Sequence, residues 1–144
     1  VPNLAGLART CEIFAASSLV IPDLRVMKNP AFSKISTGAE QWLPIQELGE
    51  KQLLAWIRRV KRQGCTLVGV EQTNNSVCLT KMKFPRRRVL VLGREHSGLP
   101  LAVINEMDFC CQIPQQGVLR SLNAHVSGAL VLWEYTRQML TSTP

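Results

Sequence analysis

RVLVLGREHSGLP, residues 88–100 of the chain, decides the fold, because an apolar run leads directly into a loop that contains two glycines. The apolar residues of 88–92 are continuous rather than alternating with polar ones, which is typical of strands that are buried on both faces of a parallel sheet. The same pattern at 66–70, and apolar runs at 19–21 and 109–113, predict three further strands. The sequence therefore predicts a parallel sheet at the centre of the fold.

Helices are predicted between these strands, where apolar residues recur every three to four positions. They cover residues 3–16, behind the capping residue Asn3, and residues 50–63 and 101–107. The apolar positions of a long last helix are Leu122, Val126, Ala129, Leu130 and Trp133. Strands that alternate with helices predict an α/β fold, a parallel sheet with helices on both faces. Residues 22–46 have little pattern.

Size and charge limit the possible classes of protein. The 144 residues, 46% of them hydrophobic, suffice for a single core, so we predict one domain over residues 1–144. A helix start almost at the first residue leads us to expect a part of a longer protein. The net charge of +7 favours a polyanionic partner. Nucleic acid is preferred to a membrane, because no segment reaches the length of a membrane span.

Cysteine and histidine usage predicts a reducing compartment and no metal site. The five cysteines form no C-x-x-C pair, and most lie in apolar runs, where a reduced thiol packs as a small hydrophobic group. The two histidines, His96 and His125, lie far apart, without Cys or Asp at ligand spacing. We therefore expect an intracellular protein, nuclear or cytoplasmic, that binds neither metal nor membrane.

Two segments at predicted strand ends have unusual composition. Ligands of parallel α/β sheets bind at the carboxyl ends of the strands, here after Val70, Leu92 and Ile113. The loop at 93–100 matches neither a phosphate loop nor a G-x-G-x-x-G motif, and locally it is most simply a turn. Within residues 114–123, Ser121 or Asn123 would most simply cap the last helix.

Three segments together resemble the motifs of the SpoU/TrmH group of SPOUT RNA methyltransferases. They are NLAGLART at 3–10, LGREHSGLP at 92–100 and IPQQGVLRSLNAHVS at 113–127, in the order and separation of that group. The resemblance implies an α/β fold with a C-terminal trefoil knot, a homodimer, and transfer of a methyl group from S-adenosyl-L-methionine (AdoMet) to a ribose 2'-hydroxyl. S-adenosyl-L-homocysteine would be the product.

Within the group, the chain most resembles eukaryotic tRNA guanosine ribose methyltransferases of the TAR RNA-binding protein type. In these enzymes such a domain ends a longer chain and modifies guanosine 18 in the D-loop of tRNA. The resemblance therefore implies tRNA as the partner. Two alternatives stay open: the substrate is ribosomal RNA, or the fold is a non-catalytic platform for RNA binding or dimerisation.

The resemblance also implies roles for residues at matching positions. The residues that it implies as cofactor contacts are Val70, Glu71, Leu92, Gly93, Ile113 and Leu122. The catalytic set comprises Arg9, Asn3, Glu95, Ser121 and Asn123, with Arg9 stabilising negative charge or orienting a phosphate. Independently of the motifs, basic residues predict phosphate contacts. They are Lys81, Lys83, Arg86, Arg87 and Arg88, with Arg94 and Arg120 nearer the active site.

Overall fold

The computed structural model describes residues 1–73, 75–94, 97–119 and 122–141, in which five α-helices and six β-strands form. The helices are α1 (Pro2–Ile13), α2 (Pro30–Ser36), α3 (Glu50–Arg62), α4 (Leu101–Ile104) and α5 (Ala124–Thr141). The strands are β1 (Leu19–Ile21), β2 (Ile45–Glu47), β3 (Thr66–Val70), β4 (Val77–Cys78), β5 (Arg88–Leu92) and β6 (Phe109–Gln112). The chain divides into two compact units, Val1–Leu53 and Leu54–Pro144.

The first unit combines two packed helices with a pair of parallel strands. The small buried residues Ala5 and Ala8 on α1 let the backbone of α2 approach closely. Helix α2 begins where the sequence dictates, because the Asn29 Oδ1 accepts a hydrogen bond from the Ala31 N–H at 2.9 Å. Strand β1 then pairs with β2, which places Leu19 opposite Ile45.

The second unit contains a four-stranded parallel sheet in the order β4-β6-β3-β5. Val68 at the centre of β3 pairs with Leu90 on one side and Phe109 on the other. The last strand in the sequence, β6, thus lies in the interior of the sheet between β4 and β3. The predicted parallel α/β sheet is confirmed.

Helix α5 packs on one face of this sheet. The Gln138 side chain fixes it, since its amide donates to the Met82 carbonyl at 2.7 Å and accepts from the Phe84 N–H at 2.9 Å. The buried cluster below the helix comprises Val68, Met82, Phe84, Cys111 and Val131. On the opposite face, Leu99 and Met107 pack closely against Gly69. A Cβ at Gly69 would lie 3.2 Å from Leu99 Cδ1 and 3.0 Å from Met107 Cγ, so only glycine fits there without a shift.

Several element boundaries differ from the sequence prediction. Helix α1 ends at Ile13 rather than residue 16, since Ala15 adopts a positive φ of 57° that a helix does not allow. Helix α4 is one turn long and ends at Ile104, and β6 ends at Gln112. Helix α2 and the short strands β2 and β4 were not predicted. No helix of the described ranges is both long and apolar enough to cross a membrane.

The apolar stripe predicted for the last helix lies largely at the surface. The residues that α5 buries are instead Gly128, Val131 and Leu132. The stripe residues Leu122, Val126, Leu130 and Trp133 keep 39% to 48% of their surface exposed. The second unit therefore presents an apolar strip that its own core does not cover.

Candidate functional site

A cleft of about 570 Å³ opens at the carboxyl ends of strands β3, β5 and β6. Because these strands pair in parallel, their ends lie at one edge of the sheet, where such folds bind ligands. All six residues that the resemblance assigned to the cofactor line this cleft. They are Val70, Glu71, Leu92, Gly93, Ile113 and Leu122. The structure thus brings together segments that lie far apart in sequence.

Other lining residues of this cleft were missed by the sequence analysis. Gln72, Gln112 and Gln115 lie within a few residues of the same strand ends, so extending the carboxyl-end rule slightly would have found them. Ser127 lies on α5 one helical turn beyond Asn123, where its side chain also reaches the cleft. These side chains add neutral hydrogen-bonding groups to a wall that already combines aliphatic and charged residues.

Glu71 connects the loops that follow β3 and β5. Its carboxylate accepts a hydrogen bond from the Leu99 N–H at 2.7 Å. Its backbone N–H donates to the Cys111 carbonyl at 3.1 Å, and its carbonyl accepts from the Ser76 hydroxyl at 2.7 Å. The residue therefore fixes the shape of the cleft as well as lining it.

The loop after β5 has no room for a side chain at Gly93. A Cβ there would lie 2.5 Å from the Gly98 carbonyl carbon and 2.7 Å from the Leu99 backbone nitrogen. The loop is closed by backbone pairing, in which the Gly98 N–H donates to the Arg94 carbonyl at 2.8 Å. Gly98 has a φ of +65°, which favours glycine. Glu95, predicted to be catalytic, lies outside the described residues.

Asn123 caps helix α5. Its Oδ1 accepts hydrogen bonds from the His125 N–H at 2.9 Å and the Val126 N–H at 3.2 Å. The simpler of the two sequence interpretations, a helix cap, therefore holds for this residue. Its neighbours in the motif, Arg120 and Ser121, lie outside the described residues.

Arg9 and Asn3 lie on helix α1 in the first unit. Arg9 is exposed and lines a second cleft of about 300 Å³ within residues 1–53. Asn3 is half-buried in the first turn of the helix. The Arg9 side chain is therefore accessible from solvent, which a residue that contacts a substrate requires.

The predicted RNA-binding residues fall into two kinds. Most are exposed cations, and Arg94 in addition lines the cleft of the second unit. The exposed ones outside the cleft are Lys81, Lys83, Arg86 and Arg87.

Arg88 differs from these cations, because its guanidinium packs within the fold. The Cζ lies 3.3 Å from the ring centroid of Tyr135, and Nη1 donates to the Arg86 carbonyl at 2.7 Å. Burial lowers the pKa of the Arg88 guanidinium. The half-buried Arg88 side chain therefore contributes to the packing of α5 on β5.

The cleft of the second unit contains a thiol but no reactive thiolate. Burial raises the pKa of Cys111 to about 11, so its side chain is protonated at neutral pH and acts as a small apolar group. Within the described ranges, His, Cys, Asp and Glu side chains form no group of three that could hold a metal ion. The cleft thus offers binding through backbone, amide and aliphatic groups, together with the charged side chains of Glu71 and Arg94.

A parallel α/β sheet whose strand ends converge on a cleft of mixed aliphatic and polar lining is the usual arrangement of domains that bind small organic ligands. The chain belongs to the SpoU rRNA Methylase family, whose sequence model matches residues 1–133.

Relatives with known names support the same grouping. The chain is 49% identical over 138 residues to the mouse tRNA (guanosine(18)-2'-O)-methyltransferase TARBP1, covering 96% of this chain and 9% of that protein. It is 34% identical over 138 residues to the Saccharomyces cerevisiae tRNA (guanosine(18)-2'-O)-methyltransferase, covering 95% of this chain and 10% of that one. The chain thus spans about a tenth of the length of these two relatives.

A solved structure shares the fold. The SpoU methyltransferase AviRb from Streptomyces viridochromogenes, in complex with the cofactor AdoMet, superposes with a TM-score of 0.82 at 24% identity. The match covers 99% of this chain and 55% of AviRb.

Proposed function

We propose that the chain is the methyltransferase domain of an AdoMet-dependent tRNA (guanosine-2'-O-)-methyltransferase that acts on guanosine 18. The observation that carries the proposal is the convergence of the six cofactor-assigned residues on one cleft. The substrate is proposed from the names of the mouse and yeast relatives, whose alignments cover nearly the whole of this chain.

The cleft fits AdoMet in size and chemistry. Its volume of about 570 Å³ lies within the range of about 300–1,000 Å³ that is usual for small-molecule sites. Adenine is read well by backbone N–H and C=O groups in an apolar slot, which Leu92, Gly93 and Ile113 provide. Glu71 and Arg94 add one negative and one positive side chain, which suit a zwitterionic methionine moiety. AviRb, which shares the fold, was solved with AdoMet.

In this reaction the ribose 2'-oxygen would form a bond to the methyl carbon while the carbon–sulfur bond breaks. S-adenosyl-L-homocysteine would leave, and the hydroxyl proton would pass to a neighbouring phosphate oxygen. AdoMet, when bound, supplies a methyl group activated by its sulfonium. The domain's contribution is alignment of the hydroxyl and stabilisation of its developing negative charge. We assign the second role to Arg9, because a positively charged guanidinium stabilises negative charge that develops on a nearby oxygen. Asn3, Glu95, Ser121 and Asn123 would position ribose or loops.

The exposed cations at 81–87, with Arg94 at the cleft, would hold the tRNA backbone without reading its sequence. Five unpaired cysteines fit the intracellular location that a tRNA substrate requires.

We also propose the trefoil knot and the homodimer that the resemblance implies. The interior position of β6, the last strand of the sheet, supports a chain that threads through an earlier loop. The exposed apolar strip along α5 supports the dimer, because a second copy would remove it from water.

Calorimetric titration of AdoMet into the domain, with light scattering on the same sample, tests the proposal first. We expect saturable binding to a dimer, followed by methyl transfer to tRNA by the full-length protein. Transfer to ribosomal RNA instead of tRNA would correct the substrate. Absence of AdoMet binding to a folded dimer would leave the RNA-binding platform as the function.

A further inference from the structure

Besides Arg9, the cleft of the first unit contains charged and aromatic side chains to which the proposed reaction assigns no role. Arg9 and Glu12 lie one helical turn apart on α1 and both line this cleft. Trp42, Thr37 and Ile13 also line it. No hydrogen bond or ion pair with the described residues engages the side chains of Arg9, Glu12 or Trp42. These groups are therefore available to a ligand.

Trp42 presents its indole to solvent from a rigid support. Its side chain is 77% exposed, whereas its neighbours Ala39 and Leu43 are buried. The backbone N–H groups of both Trp42 and Leu43 donate to the Ala39 carbonyl at 3.0 Å, which fixes the turn. An exposed indole on an ordered turn beside an arginine is a good stacking platform for a nucleobase.

The opposite wall of the cleft is also held in place. The buried Ser36 hydroxyl donates to Glu40 Oε1 at 2.6 Å, and its oxygen accepts from the Gly38 N–H at 3.3 Å. Thr37 takes a left-handed conformation with φ of 54° at the end of α2. The cleft is thus preformed, which lowers the cost of ordering a bound group.

Glu12 offers chemistry that selects guanine. Guanine presents two adjacent donors, N1–H and the 2-amino group, whereas adenine presents an acceptor at N1. A carboxylate accepts both guanine donors, and these charge-assisted hydrogen bonds are stronger than neutral ones. Glu12 is half-buried and lines the same cleft as Trp42, so one bound base could meet both side chains.

We propose that this cleft binds the guanine base of the nucleotide to be methylated, with Trp42 stacking on the base and Glu12 accepting from its N1–H and 2-amino groups. Arg9, on the same helical face, then lies at the ribose and phosphate side of that nucleotide. This inference rests on the proposed function and adds the residues that would make the enzyme choose guanosine.

The test compares methylation of tRNA that carries guanosine or inosine at the target position by the full-length protein. Inosine lacks only the 2-amino group, so the wild-type protein should show a kcat/KM about 10- to 100-fold higher for guanosine. In Glu12→Gln the amide NH2 group opposes the guanine amino group, and the ratio should fall to about 1. Glu50→Gln removes a carboxylate of the same unit outside the cleft and should keep the wild-type ratio.

Trp42→Ala should raise KM for tRNA by about tenfold for both substrates with little change in kcat, and Trp42→Phe should restore most of the affinity. AdoMet affinity and the melting temperature should match the wild type in every variant, which separates lost base contacts from misfolding.

Three results would overturn the inference and leave the proposed function intact: an active wild-type protein that does not distinguish inosine, a Glu12→Gln variant that keeps full selectivity, or an unchanged KM in Trp42→Ala. A wild-type protein that transfers no methyl group to tRNA guanosine would instead overturn the proposed function, and the inference with it.

Discussion

At the scale of single residues, Gly93 determines the shape of the loop beside the cofactor cleft. An alanine there would place Cβ 2.5 Å from the Gly98 carbonyl carbon, so the backbone must move. Overpacking of this kind costs about 1–3 kcal/mol. We predict that Gly93→Ala weakens AdoMet binding at least about tenfold, measured by calorimetry, because the loop that lines the cleft is displaced.

Gly117→Ala is the matched control for this prediction. A Cβ at Gly117 would have no atom within 4 Å, so the variant should bind AdoMet and unfold as the wild type does. Equal affinity in the two variants would show that the loop after β5 does not shape the cofactor site.

Arg9 is predicted to act on the reaction and not on the cofactor. Replacement by alanine should lower kcat for methyl transfer by about 10²- to 10³-fold, the usual effect of removing a group that stabilises developing charge. AdoMet affinity and stability should stay unchanged, because the side chain is exposed and makes no hydrogen bond or ion pair with the described residues. Loss of cofactor binding in this variant would contradict the assigned role.

The sequence identified the cofactor residues in two steps. Ligands bind at the carboxyl ends of parallel strands, which selected the segments that follow Val70, Leu92 and Ile113. The family resemblance then assigned these three residues to the cofactor, and the structure places all three at one cleft. Trp42 was missed because it lies in the segment 22–46, which has little sequence pattern. A role for this side chain can be inferred only from the cleft that the folded chain forms around it. Glu12 was missed because a glutamate on a helix is most simply a surface residue.

At the scale of secondary structure, the cap of α5 is the clearest local determinant. Asn123 satisfies the backbone N–H groups of His125 and Val126 in the first turn. We predict that Asn123→Ala lowers the free energy of unfolding by about 1 kcal/mol, measured by denaturant titration. Asn123→Ser restores a capping oxygen and should recover most of that loss. A fully stable Asn123→Ala variant would show that other contacts determine where the helix begins.

Strands were predictable where their apolar runs are long enough to form a pattern. The runs of β3 and β5 reveal both strands, but only β3 is buried at its centre. The prediction that β5 is buried on both faces is wrong, because β5 lies at the edge of the sheet and is half-buried throughout. Strand β4 has only two residues, and strand β2 has three, among which Ile45 is the single apolar residue. These strands are therefore defined by pairing with a neighbouring strand and not by their composition. Helix α2 was overlooked although Asn29-Pro30 is a recognisable helix start.

At the scale of the whole molecule, the apolar strip of α5 predicts self-association. Val126 keeps 43% of its surface exposed, and Leu130 keeps 39%, on the helix face that the core leaves uncovered. Burying an unpaired charge at the centre of an apolar interface costs free energy, because the charge loses its hydration. We predict that Leu130→Glu converts the proposed dimer into a folded monomer, with the particle mass halved in light scattering.

Leu101→Glu is the control, because Leu101 on α4 is 72% exposed and lies outside the strip. This variant should remain dimeric, since it adds the same charge outside the proposed interface. A dimeric Leu130→Glu protein would place the interface elsewhere and leave the strip to another partner. If the dimer builds the active site, monomeric Leu130→Glu will also lose methyl transfer to tRNA, whereas Leu101→Glu will keep it. A monomer with full activity would show that one copy of the chain suffices for catalysis.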